Sequence, residues 1–212
     1  MTETVLSHPH NHEPVVFTLA MLDWLPWLEP PAEAALTERQ RLSLVDAARS
    51  KSAYFRLLSR DPDILEARTR ADKDIFYNTS SGLPRAEREL AAAATSRYNG
   101  CIYCASVHAR HAITYAKRPG DVPGDVPGDV ARLLDTGVTA DLGERWNAIV
   151  AASVALTATP IAFGAAHVAR LRAAGLDDAE IVDVINSAAF FNWANRLMLS
   201  LGEPAEAARP AA

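Results

Sequence analysis

Asn99-Gly100 interrupts a stretch of helical sequence between residues 85 and 117, and that break predicts a helix hairpin. Upstream, Arg85 to Tyr98 contains the Ala-rich run ERELAAAATSRY, which has high intrinsic helix propensity. Downstream, a second helix opens at Cys101 and runs to about Lys117. At about 1.5 Å per residue, Glu89 lies ~14–15 Å back from the turn on one arm, and His108 ~12–13 Å back on the other. The two side chains therefore sit at nearly matching heights. On the second arm Cys101, Cys104 and His108 share one face, at steps of three and four. These are the chain's only two cysteines, so neither is spread through the sequence as a structural staple.

The rest of the chain reads as helix without a convincing alternating strand. Thr37-Glu-Arg-Gln40 matches a capping box, and Leu42, Val45 and Ala48 follow at helical spacing, predicting one helix to about Ser59. Further helices are expected over 63–78, 143–158, 162–174 and 177–201. The segment Trp24-Leu-Pro26-Trp27-Leu-Glu-Pro30-Pro31 predicts an extended arm held by its aromatics. Residues 119–130 repeat Gly-Asp-Val-Pro. Proline at every fourth position predicts a loop there, a tolerated surface expansion in preference to a lid. The organisation expected is an N-terminal tail and arm over 1–35, one all-α domain over 36–204 and a disordered tail over 205–212. His8, His10 and His12 read as part of a disordered terminus, with a weak metal-binding tail as the alternative.

Composition narrows the function classes. With 49% hydrophobic and 22% charged residues, the chain suits a soluble globular protein, and a net charge of −5 without a Lys/Arg stripe argues against nucleic-acid binding. No secretory signal is legible at the N-terminus, and no apolar run approaches the roughly 20 residues that span a bilayer. A cytoplasmic compartment is expected. There a Cys-x-x-Cys is catalytic or metal-binding more often than a lasting disulfide.

The constellation suits thiol redox chemistry. Unsatisfied backbone N–H groups at the helix N-terminus favour the thiolate, and a neighbouring histidine can accept the proton. Glu89, if buried, would orient His108 and raise its basicity. A thiolate oxidised by a peroxide becomes sulfenic acid, which the adjacent thiol captures as a disulfide. Tyr103 and His111, on the same helix, are further candidates for relay or substrate-proximal groups. A zinc site from Cys101, Cys104, His108 and His111 alone fails on distance. Its outer ligands would lie ~15 Å apart along one helix, so a metal would need ligands from elsewhere. His167, Asn192, Asn195 and Arg196 read as structural or interface groups.

The pattern Glu89, eleven residues, Cys101-x-x-Cys104, three residues, His108 resembles the alkylhydroperoxidase AhpD-like branch of the carboxymuconolactone decarboxylase superfamily. Residues from about Leu36 to Pro204, including Phe190-Phe-Asn192-Trp-Ala-Asn195-Arg196, are similar to its peroxidase-related subgroup. The resemblance implies an AhpD-like all-α fold with the Cys-x-x-Cys hairpin at its core, assembled as a homo-oligomer, a trimer or hexamer. It implies cofactor-free reduction of a hydroperoxide through a Cys101–Cys104 disulfide. An external dithiol, lipoylated or thioredoxin-like, would recycle the pair. Cys104 would attack, and Cys101 would resolve. Tyr103 stands where well-known relatives carry a histidine. The alternatives are a decarboxylase-type acid–base lyase using His108 and Glu89, and a non-catalytic thiol redox sensor or scaffold.

Overall fold

Alanines explain how the centre of the molecule is built. In the computed structural model, which describes residues 5–78, 80–116 and 125–207, helix α4 (Arg85–Asn99) is buried from Ala86 through Ser96. Its run Leu90–Ala94 is wholly inaccessible, and four of those five side chains are a single methyl. Small side chains let neighbours approach on every side, while Leu90 contributes roughly 2 kcal/mol by burial. Against α4 pack α5 (Ile102–Tyr115), α7 (Glu144–Thr157) and α9 (Asp178–Leu201).

The hairpin reverses where the sequence places it. Gly100 takes φ 79, the left-handed conformation glycine adopts cheaply, and the N–H groups of Gly100 and Cys101 both close on the Ser96 carbonyl. Cys101 then serves as N-cap of α5, so that helix begins one residue later than expected. Helices α3 (Pro62–Tyr77), α7, α8 (Ala165–Ala173) and α9 follow the expected spans closely. At the start of α3 Asp61 caps the Ile64 N–H, and Pro62 occupies the first turn, where it loses no bond.

Several expectations need correction. The single helix expected over 37–59 is broken into α1 (Glu38–Ser43), a 3-10 turn at Ala47–Lys51 and α2 (Ala53–Leu58). The Thr37/Gln40 capping box is present, but Val45 turns to φ 61, and Asp46 caps the next turn at Ala48. Burial selects Leu44, while Leu42 of the supposed apolar face is 62% exposed. The repeat segment is partly helical. Helix α6 (Val126–Thr136) starts inside it, with Pro127 in its first turn and Asp125 as N-cap to Gly128. Residues 119–124 lie outside the described residues.

A two-stranded antiparallel sheet is also present, where no strand was expected. Strand β1 (Leu22–Pro26) pairs with β2 (Gly202–Glu206), with Trp24 opposite Pro204. Residues 205 and 206, expected in a disordered tail, complete that ladder, and Ala205 is buried. The N-terminal segment is tied down as well. Leu6 N–H bonds to the Trp27 carbonyl at 2.8 Å, His8 Nε2 meets the Pro26 carbonyl at 2.8 Å, and Asn11 donates to Glu203.

Candidate functional site

Helices α2, α3, α4, α5 and α9 enclose a cavity of about 420 Å³, and the hairpin residues converge on it. Glu89, 1% exposed on α4, meets His108 of α5 with Oε2 to Nδ1 at 2.6 Å. The matching heights expected from the sequence are realised. A carboxylate can only accept, so Nδ1 carries the hydrogen and Nε2 is left as the basic nitrogen. Burial pushes the Glu89 carboxyl up, but hydrogen bonds from His108 and His111 outweigh it and bring the pKa down to about 2. Arg85, one turn earlier on α4, donates Nε–H to the other oxygen at 3.2 Å. Its guanidinium lies against the rings of Tyr77 and Tyr115. Phe191 of α9 meets the His108 ring at 3.9 Å between centroids, fixing its plane.

The cysteines divide by position. Cys104 lines the cavity together with His108 and Tyr103, whereas Cys101 faces a small recess beside Trp24 and Met198. Both are free thiols and buried, at 2% and 5% exposure for Cys101 and Cys104. Electrostatics separates them further. The adjacent Cys104 thiol, which can donate to it, lowers the Cys101 pKa against burial, helped by the Cys104 backbone N–H and the Asn195 amide. Cys104 is raised well above the usual thiol range by Cys101, to which it gives its proton in hydrogen bonding, and by burial. Asn195 and Arg68 oppose that rise. Of the two thiols, Cys101 at the helix N-terminus is thus the easier to ionise. No direct hydrogen bond joins His108 to either sulfur among the described residues, so proton transfer between them needs a bridging water or substrate.

His111 and Tyr103 both line the cavity, as expected of substrate-proximal groups. His111 Nδ1 stands 3.5 Å from Glu89 Oε2. Burial, then the nearby Cys104, pushes the Tyr103 hydroxyl up, so it stays a donor. The ligand atoms of Glu89, His108 and His111 lie within 4.8 Å of one another and could share a cation. Three such ligands leave a fourth position open to water or substrate, while Arg85 competes for the same carboxylate. The cysteines take no part in that cluster.

Several contributors escape the sequence pattern. Asn195, read there as structural, is wholly buried behind the cysteines, where its Nδ2 donates to Ser96 and its Oδ1 accepts from Asn99. An asparagine in the apolar run of α9 was the available signal. Tyr54 and Arg68 also line the cavity, and Arg68 sits in a charge-rich stretch that looks solvated in sequence. His167 is structural as read, since its Nδ1 accepts from the Gly164 N–H that opens α8.

Residues 62–122, which contain the hairpin, match the model of the Carboxymuconolactone decarboxylase family. No curated protein matches the sequence. Among solved structures, the chain is similar to an AhpD-core, peroxidase-related protein from Ralstonia eutropha JMP134. The TM-score is 0.65 at 23% identity, over 92% of each chain. A peroxidase-related protein from Silicibacter sp. TM1040 aligns with TM-score 0.63 at 23% identity, over 92% of this chain and 93% of that one. The debrominase Bmp8, solved as a variant with 2,3,4-tribromopyrrole, aligns with TM-score 0.57 at 16% identity, over 76% of this chain and 79% of that one. These likenesses establish an AhpD-like all-α fold. Among the described residues, no helix is long and apolar enough to cross a membrane.

Proposed function

We propose that this chain, whose residues 62–122 match the model of the carboxymuconolactone decarboxylase family, is a thiol-dependent peroxidase acting on organic hydroperoxides. One observation carries the reading: Cys104, His108 and the buried Glu89 line one cavity, with a second thiol, Cys101, immediately behind. Cys101, the more acidic thiol, ionises first, and its proton passes by way of water to His108 Nε2. Proton transfer from Cys104 to Cys101 then places the negative charge on the sulfur that faces the cavity. The Cys104 thiolate then attacks the terminal peroxide oxygen, the O–O bond breaks, and the departing alkoxide takes from His108 Nε2 the proton that Cys101 had lost. Cys104 is left as sulfenic acid and the alcohol departs. Cys101 next attacks the Cys104 sulfur, forming the disulfide and releasing water. The two electrons come from the two thiols, and an external dithiol returns them by exchange.

Cys101, the lower-pKa thiol, is the better leaving group when that dithiol attacks Cys104. Because both sulfurs are buried, a slim dithiol such as a lipoyl arm suits the cavity better than a globular thioredoxin-like face. A homo-oligomer, trimer or hexamer, is part of this proposal. Val182 and Trp193, eleven positions apart and so on one side of α9, are exposed apolar groups available to such an interface.

Coupled dithiol-dependent turnover with several alkyl hydroperoxides tests the reading, with mass spectrometry for an intramolecular Cys101–Cys104 disulfide. Cys104→Ser should abolish hydroperoxide consumption, and Cys101→Ser should allow one turnover followed by sulfenic acid build-up. Turnover surviving in both variants would end the thiol mechanism. Lactone decarboxylation independent of both cysteines would favour an acid–base lyase built on Glu89 and His108. A disulfide without turnover would favour a redox sensor.

A further inference from the structure

The cavity wall holds one arginine that pairs with no carboxylate among the described residues. Arg68 of α3 is 6% exposed, and its Nε and Nη1 are fully buried with no hydrogen-bond partner. The Tyr54 hydroxyl, on the same wall beside Arg68, is equally buried and makes no well-formed hydrogen bond. The other two arginines of the wall are satisfied: Arg49 pairs with Asp72 at 2.6 Å, and Arg85 with Glu89 at 3.2 Å. Among the described residues no carboxylate pairs with Arg68. It lies against the faces of Phe190, Phe55 and Tyr54, at 5.0, 5.4 and 5.9 Å from its guanidinium carbon. A buried charge facing aromatic rings, a neutral phenol and a thiol, with two N–H donors unspent, costs stability that a bound anion would return.

We propose that the cavity takes a carboxylate-bearing organic hydroperoxide, anchored through its carboxylate by Arg68 and Tyr54 with the peroxide directed at Cys104. A guanidinium presents paired N–H groups that match a carboxylate, and a neutral phenol adds a third donor. Tyr54 meets that condition, since burial pushes its pKa up to about 12 even with Arg68 opposing. Phe55, Phe76, Phe191 and Met198 supply an apolar surround for the organic body. The reacting group rests on the peroxidase reading, while the anchor rests only on Arg68 and Tyr54. A competing role for Arg68 is counter-ion to the Cys104 thiolate, and the test separates the two.

Two measurements on the full chain decide the matter. In calorimetric titration, unreactive decanoate should bind the wild type, decanol should not, and Arg68→Met should lose at least ~10-fold in decanoate affinity. In steady-state assays, an aliphatic hydroperoxy acid should exceed its methyl ester in kcat/KM by at least ~10-fold, a ratio falling toward one in Arg68→Met. Arg68→Lys, which keeps the charge without the fork, and Tyr54→Phe should each give an intermediate ratio. Removing an uncompensated buried cation should leave the melting temperature of the ligand-free protein equal or higher. Decanoate should raise that temperature in the wild type alone. Equal turnover of acid and ester by the wild type, or decanoate binding indifferent to Arg68→Met, would overturn the anchor while leaving the peroxidase reading intact. A shifted pH profile of thiol alkylation in Arg68→Met, with the acid-to-ester ratio unchanged, would assign Arg68 to the thiolate and also overturn it. Arg68-dependent decanoate binding without turnover of any hydroperoxide would sink the peroxidase reading and keep the anchor.

Discussion

Glu89 keeps a charge at 1% exposure because three side chains from two helices hold its two oxygens. Its pKa falls from 4.5 to about 2, so the folded state stabilises the ionised form. For a carboxyl depressed on folding, that contribution is complete above the unfolded pKa and is lost as pH falls toward the folded one. The window is therefore pH ~4.5 down to ~2, and the contribution is on the order of 3 kcal/mol. Denaturant titrations across that range should show the wild type losing about that much more stability than Glu89→Gln, whose side chain does not titrate. Parallel curves would remove Glu89 as the source. Glu89 and His108 were legible in the sequence because helix rise alone puts them level across a turn marked by Asn99-Gly100. Arg68 was not legible. Its neighbours Glu66, Arg70, Asp72 and Lys73 make the whole stretch look solvated, and only packing shows that this arginine faces inward. Asn195 escaped for a related reason, since no spacing rule links α9 to the cysteines, whose contact with it is purely tertiary.

Helix spans were readable wherever caps and breakers stood outside the periodic run, as at Asp61-Pro62 and Asp177, the latter capping Glu180. They failed where the deciding term was burial or pairing. The break at Val45 follows from burying Leu44, and the sheet follows from two segments nearly 180 positions apart meeting at Gly202. A Cβ at Gly202 would overlap both the Leu25 carbonyl oxygen and the Trp24 indole, because the strands cross closely there. Gly202→Ala should therefore destabilise the protein by about 1–3 kcal/mol through overpacking. Gly100→Ala meets nothing within 4 Å and pays only for its left-handed backbone, about 1–2 kcal/mol. Denaturation that ranks the two the other way would mean the sheet yields easily. In α6 the repeat itself hid the boundary, since Asp121, Asp125 and Asp129 have near-identical local contexts. The structure selects Asp125, whose side chain accepts from Gly128, so Asp125→Ala should cost about 1 kcal/mol. Loss of the cap should appear in hydrogen exchange of the first turn of α6 before it appears elsewhere. An unchanged exchange pattern there would hand the capping role to a different aspartate.

Across the described residues, the segments around β1 and β2 pack together beside the cysteine pair. Residues 5–27 run beside β2 and over α5. Arg110 donates to the Ala20 carbonyl, Trp27 N–H bonds to the Leu201 carbonyl, and Arg97 covers the Phe17 ring. Trp24 is the centre of this packing. Its indole N–H reaches the Met198 carbonyl at 3.3 Å, and its ring stands edge-on to Tyr54 at 5.4 Å. The recess it lines contains Cys101 but not Cys104, so the arm shields one thiol while the cavity exposes the other to ligand. This arrangement makes a kinetic asymmetry testable with no knowledge of the substrate. In the wild type, a bulky alkylating reagent should modify Cys104 by way of the cavity and leave Cys101 largely unmodified. Trp24→Ala should cost roughly 3 kcal/mol at the low end for a tryptophan only partly buried, and it should uncover Cys101. Peptide mapping at a temperature well below unfolding should then find Cys101 alkylation accelerated several-fold more than Cys104 alkylation. Because Cys101 holds the lower pKa of the pair, the newly reached sulfur is the more readily ionised one, which adds to the gain in its alkylation. Equal acceleration of both cysteines would indicate general loosening, and no acceleration would mean that Cys101 is reached only through the cavity.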